Sequence, residues 1–330
     1  MTKQNDVVGL GNALMDALIV LPDDAPLSDA GLNKGQMHMV NDLRWKEVYS
    51  TLKEYDVDLK TGGSCANTIA TLGLLGAKVS YCSQVGDDKF GSIYSEQLRD
   101  ACGQDALLVA DSGSTGKCLS LISPDAERTM LTDLGVAVAL PSVAHFEEDI
   151  RGAKLLYLTG YLMFGDMRTR MMEAIAVAEE AGVPIALDVA DPSVISILRE
   201  EMLEVIKDHV DIVFLNESES VALCGGSPAD ALTQLREWCK IVVVKLGAKG
   251  SMACRGNEIV QTGIVKVDAI DTTGAGDSYA AGFLYGWTQG WTLQQCVQLG
   301  SHVAAHAVSQ LGAVVRDRTI LHEAIDLALD

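Results

Sequence analysis

The chain has 330 residues, a formal net charge of −20, 48% hydrophobic residues and 21% charged ones. That length and apolar share allow one large core, and the acid excess sets the surface against a nucleic-acid polyanion. No run of eighteen apolar residues marks a membrane span, the opening MTKQND holds no apolar signal core, and eight singly spaced cysteines without a CxxC pair fit reduced thiols in the cytoplasm rather than a zinc site.

In chain order, short apolar runs alternate with segments of helical spacing. Strands are predicted at 6–12, 78–86, 154–160, 183–189, 210–216 and 240–247, and helices at 66–76, 88–101, 166–181, 193–207, 228–239, 277–289 and 292–310. The strand candidates are near-continuous in apolar residues and rich in Val and Ile, as in strands buried on both faces of a parallel sheet. The alternation predicts a three-layer α-β-α fold. Two regions depart from it: 13–61, polar and irregular with Pro22, Pro26 and Gly31, and 107–136, where KCLSLIS and RTMLTDL alternate. Alternation means one buried and one wet face. Both regions are therefore expected to form a small β-rich lid on a single domain spanning 1–330.

An anionic ligand would need a local device to offset the acidic surface: a glycine nest, a helix N-terminus or a metal ion. DTTGAGDSYAAGF (271–283) offers one. Tyr279, Gly282, Phe283 and Gly286 recur at helical spacing, so a helix is predicted to start near Gly276–Asp277. The amides of Gly274, Ala275 and Gly276 would then converge at its positive end. Asp277 reads either as a capping aspartate or as a base that takes a proton from a hydroxyl.

Four further stretches carry polar residues in apolar settings. In TGGSCANT (61–68), Gly62 and Gly63 precede a helix whose first turn holds Asn67, which is either an ordinary loop or a place where a polyol meets the backbone. In GNALMD (11–16), Asn12 and Asp16 need a partner or a ligand, and Leu14 in the place of a third glycine excludes a dinucleotide fingerprint. In FLNESES (214–220), Asn216 and Glu219 follow a buried strand, where a helix cap and a ligand site are both expected. KLGAKG (245–250) carries Lys245, Gly247 and Gly250 in a glycine turn without Walker A spacing.

In order along nearly the whole chain, GNALMD, TGGSCANT, VGDDKFG, AERTM, FLNESES, KLGAKG, DTTGAGD and GSHVAAHAVSQLGA resemble the ribokinase-like (PfkB) family of carbohydrate and nucleoside kinases. The resemblance implies an ATP-dependent kinase with a mostly parallel α/β core and a small β lid. It implies Asp277 as the base, and Gly274, Ala275 and Gly276 as the anion hole. Asp16, Gly62, Gly63 and Asn67 would contact substrate, with Asn12 in support and Arg128 approaching from the lid. Asn216 and Glu219 would organise Mg²⁺ through water, with Lys245, Gly247, Gly250 and Ser301 at the nucleotide. Asp271 and Thr273 match a monovalent-cation (K⁺) site of some members. Lys245 replaces a threonine common in the family, and Ser301 with His302 replaces an asparagine. His302 and His306 stand four apart without an evident third ligand, so packing is the expected role.

LNKGQMHMV (32–40) and STGKC (114–118) look closer to adenosine kinases than to ribokinases, with Gln36, Met37, Met39, Tyr161 and Phe164 expected around a flat base. The implied partner is a small nucleoside, with a sugar as the alternative acceptor, on a monomer or homodimer. A non-catalytic binding relative is the reading from another class.

Overall fold

Near-continuous apolar runs with helical segments between them form an eight-stranded main sheet flanked by helices on both faces. The computed structural model describes residues 4–103, 107–125 and 127–329. Ala126 of AERTM and residues 1–3 of the N-terminal stretch lie outside them. In chain order the strands are β1 (Asn5–Leu10), β2 (Leu14–Val20), β3 (Met37–Met39), β4 (Asp58–Gly62), β5 (Val79–Cys82), β6 (Gln84–Gly86), β7 (Leu108–Ala110), β8 (Gly116–Ile122), β9 (Arg128–Asp133), β10 (Ala153–Thr159), β11 (Ile185–Asp188), β12 (Ile212–Asn216), β13 (Ile241–Lys245), β14 (Ser251–Arg255) and β15 (Glu258–Thr262).

The main sheet runs β15-β14-β13-β12-β11-β10-β1-β5. The six strands from β13 to β5 are parallel, and β14 and β15 add antiparallel at one edge. Alternate residues of each parallel strand feed two different cores. Val8, Leu156, Leu187, Val213 and Val242 pack with the helices Gly165–Glu180, Pro192–His209 and Pro228–Leu235. Val7, Leu155, Ala186, Phe214 and Val243 pack with Ser64–Leu75 and Ala275–Thr288 on the other face. Burial on both faces is why these strands show no polar alternation.

A second sheet, β3-β9-β8-β2-β4, comes from the two regions that break the alternation. The stretch 13–61 is more regular than its polar composition suggested: it holds three of these strands and the helices Ala25–Asp29 and Asp42–Thr51. Its own core of Ala17, Ile19, Trp45 and Leu119 explains why. One polar cluster holds this layer together and another ties it to the rest. The buried Lys117 ammonium bonds Asp42 and Asp133, each at 2.8 Å. Asp88 accepts from the Thr115 hydroxyl at 2.7 Å. STGKC and VGDDKFG thus meet where the two sheets join.

Two details differ from the sequence reading. The strand expected at 78–86 breaks at Ser83, whose hydroxyl donates to the Gly11 carbonyl at 2.7 Å and accepts from Ala13 N–H at 3.0 Å. The chain then leaves the main sheet, and β6 pairs with β7. The β14–β15 hairpin went unpredicted, although Gly256-Asn257 between the two runs is a two-residue turn signal.

Candidate active site

Parallel strands end on one side of a sheet, and ligands of such folds gather there. Asp188 ends β11, and Asn216 and Lys245 end β12 and β13 side by side. The helix Ala275–Thr288 points its N-terminus at the same place.

Gly274 caps that helix in the left-handed region (φ +70°), with no side-chain cap bond. A Cβ there would overlap Ala313, so glycine is required on both counts. The amides of Gly274 and Gly276 have no protein acceptor among the described residues, whereas that of Ala275 turns to the Thr272 carbonyl at 3.3 Å. The nest predicted from the sequence is therefore built chiefly from the two glycines.

Asp277 is the third residue of the helix and does not cap it. Its Oδ1 accepts from the Ser64 hydroxyl at 2.6 Å and its Oδ2 from Asn67 Nδ2 at 2.9 Å. Both donors come from the first turn of Ser64–Leu75. Burial lifts the Asp277 pKa to about 6, with Asp188 adding to the rise, against the lowering pull of Ser64, Asn67 and Lys245. A carboxylate so placed is held in one orientation and titrates close to neutrality, as a general base requires.

Asp16 stands on β2 opposite Lys60 of β4. Burial raises its pKa to about 7; the charge of Asp277 adds to this and Arg128 opposes it. A Cβ on Gly62 would overlap the Asp16 carboxylate, and one on Gly63 (φ +95°) would overlap the Asn12 carbonyl oxygen. The glycine pair thus leaves room for these two groups. The buried Oδ1 atoms of Asn12 and Asn67 have no hydrogen-bond partner, so both can accept from a ligand hydroxyl. Asp16, Lys60, Arg128, Thr273, Gly312 and Arg316 line a cleft of about 200 Å³.

Arg128 pairs with Asp271 at 2.6 Å, joining the second sheet to the loop ahead of the helix. Asp271 also accepts from the amides of Gly312 (2.9 Å) and Thr273 (3.0 Å). These bonds outweigh burial and hold its pKa below the usual range, with Arg128 helping. Asp271 Oδ2 thus takes Arg128 and the Gly312 amide, while Oδ1 takes the Thr273 amide.

Asn216 and Glu219 form a capping box: Asn216 donates through N and Nδ2 to Glu219, each at 2.6 Å, and accepts from the Glu219 amide at 2.8 Å. Both carboxylate oxygens of Glu219 are thereby engaged, and burial with Asp188 pushes its pKa up. Among the described residues no three His, Cys, Asp or Glu side chains cluster as a metal site, and none gives His302 and His306 a third ligand.

Other predicted residues fall at the margins. Gln36 is exposed, with its backbone bonded to Asn33 and Met130. Tyr161 follows β10 beside the acids of the strand ends, and burial with Asp191 pushes its phenol up. Ser301 donates to the Val297 carbonyl at 2.9 Å within its own helix. Gly247 and Gly250 shape the turn after Lys245, both at positive φ. Asp188 was missed by the sequence reading. Its Oδ2 holds Lys245 Nζ at 2.6 Å, and the only signal was an acid at the end of an apolar strand.

Comparison with known proteins agrees with this geometry. Residues 38–319 match the model of the pfkB family carbohydrate kinases. An adenosine kinase of Sinorhizobium meliloti superposes with a TM-score of 0.87 at 33% identity, covering 97% of this chain and 99% of that one. A probable sugar kinase of Rhizobium etli CFN 42 gives 0.85 at 29% identity, with both chains covered in full. An adenosine kinase of Dictyostelium discoideum is 27% identical over 92% of this chain and 95% of its own length. The chain belongs to the pfkB family of carbohydrate kinases and has its ribokinase-like α/β fold.

Proposed function

We propose that the enzyme transfers the terminal phosphoryl group of ATP to a primary hydroxyl of a nucleoside, adenosine before others. The observation that carries this is the Asp277 carboxylate, fixed by Ser64 and Asn67 at a glycine-rich helix N-terminus. Asp277 accepts the acceptor's hydroxyl proton as the new O–P bond forms, and the amides of Gly274 and Gly276 face the charge on the transferring group. Asp16 and the free Oδ1 atoms of Asn12 and Asn67 hold the acceptor's other hydroxyls. Mg²⁺ would be held through water near Glu219 and would supply positive charge to offset that of the phosphates. The second sheet acts as a lid that excludes water.

A nucleoside rather than a sugar is supported by the register of that sheet. Asp16 lies in one row with Cys118, Thr132 and Met39, and Leu18 in the next with Ser120, Met130 and Met37. Met37 and Met39 are 52% and 57% exposed, an apolar strip on the same face as the carboxylate and suited to a flat base. The sugar reading is favoured by the charged lining of the cleft, Lys60, Arg128 and Arg316. ADP formation measured with adenosine, inosine, ribose and fructose separates the two: adenosine should lead, and turnover of a free sugar far above every nucleoside would overturn the nucleoside reading.

A further inference from the structure

Lys245 sits in a setting that a structural ion pair does not explain. Its ammonium is 14% exposed and bonds one described acceptor, Asp188, itself 4% exposed. An ammonium has three N–H donors, so two remain unspent. The group also lies against the first turn of Ala275–Thr288: a Cβ on Gly276 would stand 3.2 Å from Nζ. A cation at the positive end of a helix is unfavourable by itself. An anion placed between them removes that conflict, since it accepts from the ammonium and from the free Gly276 amide together.

The partner is held with equal care. Asp188 Oδ1 accepts the Ala190 amide at 3.1 Å while Oδ2 takes Lys245 at 2.6 Å. Ala190 is the one non-glycine residue at positive φ (+77°) among the described residues. Strain of this kind persists where surrounding structure imposes it and gathers at functional sites. Burial would lower the Lys245 pKa, but Asp188, Glu219 and Asp277 outweigh it and keep the group charged.

We propose that the Asp188–Lys245 pair serves the phosphoryl group in flight: Lys245 is a catalytic residue that touches it, and Asp188 is the positioning residue that holds Lys245. This rests on the phosphotransferase reading. As the acceptor oxygen bonds to the γ-phosphorus and its proton passes to Asp277, the bond from phosphorus to the β,γ-bridging oxygen breaks and its electron pair leaves with ADP. Lys245 donates hydrogen bonds to a non-bridging oxygen throughout and keeps its own protons.

Steady-state kinetics on the full chain test this with Lys245→Met, Asp188→Asn and the double variant. Lys245→Met should lower kcat by about 10²–10³-fold, the loss typical of one such donor, with the acceptor KM within about threefold. Asp188→Asn should lower kcat by about tenfold alone and by less than about twofold in the Lys245→Met background, because a positioning residue has nothing left to position. If Lys245→Met fails to fold because it strands the buried Asp188 charge, the double variant removes both charges and carries the same test. A kcat within about threefold of wild type in either Lys245 variant overturns the inference, as does an Asp188→Asn loss of equal factor with and without Lys245. Wild type that forms no ADP with any acceptor overturns the phosphotransferase reading and this inference together. Active wild type with an unaffected Lys245→Met overturns this inference alone.

Discussion

Ser64 and Asp277 are 213 residues apart in sequence, and the Ser64 hydroxyl donates a 2.6 Å hydrogen bond to Asp277 Oδ1. That bond favours the charged carboxylate, whereas burial favours the neutral acid, and burial prevails to set the pKa at about 6. The base works only when deprotonated, so kcat should fall on an acid limb near pH 6. Ser64→Ala removes a lowering influence and should move the limb upward. A pH–rate profile checks this; an unmoved or lowered limb contradicts it.

Gly62 lies in contact with the Asp16 carboxylate, and a Cβ would occupy the same space. Gly62→Ala should raise the acceptor KM by about tenfold or more while changing kcat less, and destabilise the fold by about 1–3 kcal/mol. Initial rates against acceptor concentration, with a denaturant titration, read both effects.

Arg128 neutralises part of the charge shared by Asp16 and Asp271. Arg128→Ala frees the Asp271 carboxylate from the second sheet and lets the Asp16 pKa rise further. The acceptor KM should increase more steeply with falling pH than in wild type. Comparing KM at two pH values on either side of 7 measures it.

The layers of the fold were legible because strands buried on both faces need continuous apolar runs, as VDIVFLN and KIVVVKLG show. The region 13–61 was not, because Trp45 and Val48 on a mostly polar helix build a small core that composition hides. At the site, DTTGAGD and TGGSCANT gave Asp277 and Asn67 by position, but only the structure shows that these two residues touch. The same limit concealed Asp188: one acid after an apolar strand becomes informative only when Lys245, 57 residues on, is found 2.6 Å away. Arg128 and Asp271 were placed on separate tasks, and their pairing between the second sheet and the loop ahead of the helix left no trace in spacing.

Asp16 ties stability to pH. Its folded pKa of about 7 lies above the ordinary aspartate value of 3.8. Between these values the folded state binds more protons than the unfolded one, so stability is lost as pH rises through about 7. Asp16→Asn should therefore stabilise the protein by about 1–3 kcal/mol at pH 8 and leave it nearly unchanged at pH 4. Thermal unfolding at the two pH values tests the sign, and a variant less stable at pH 8 contradicts it.

The proposed transfer turns on Asp277 as the base. In Asp277→Asn, the new amide oxygen still accepts from Ser64, and a flipped Asn67 amide offers its unpartnered Oδ1 to the new NH₂. Folding should survive. The decisive measurement is the rate of ADP formation with saturating adenosine and ATP in Asp277→Asn beside wild type. A fall in kcat of about two orders of magnitude or more with the fold intact is the predicted result; near-normal turnover would contradict the account.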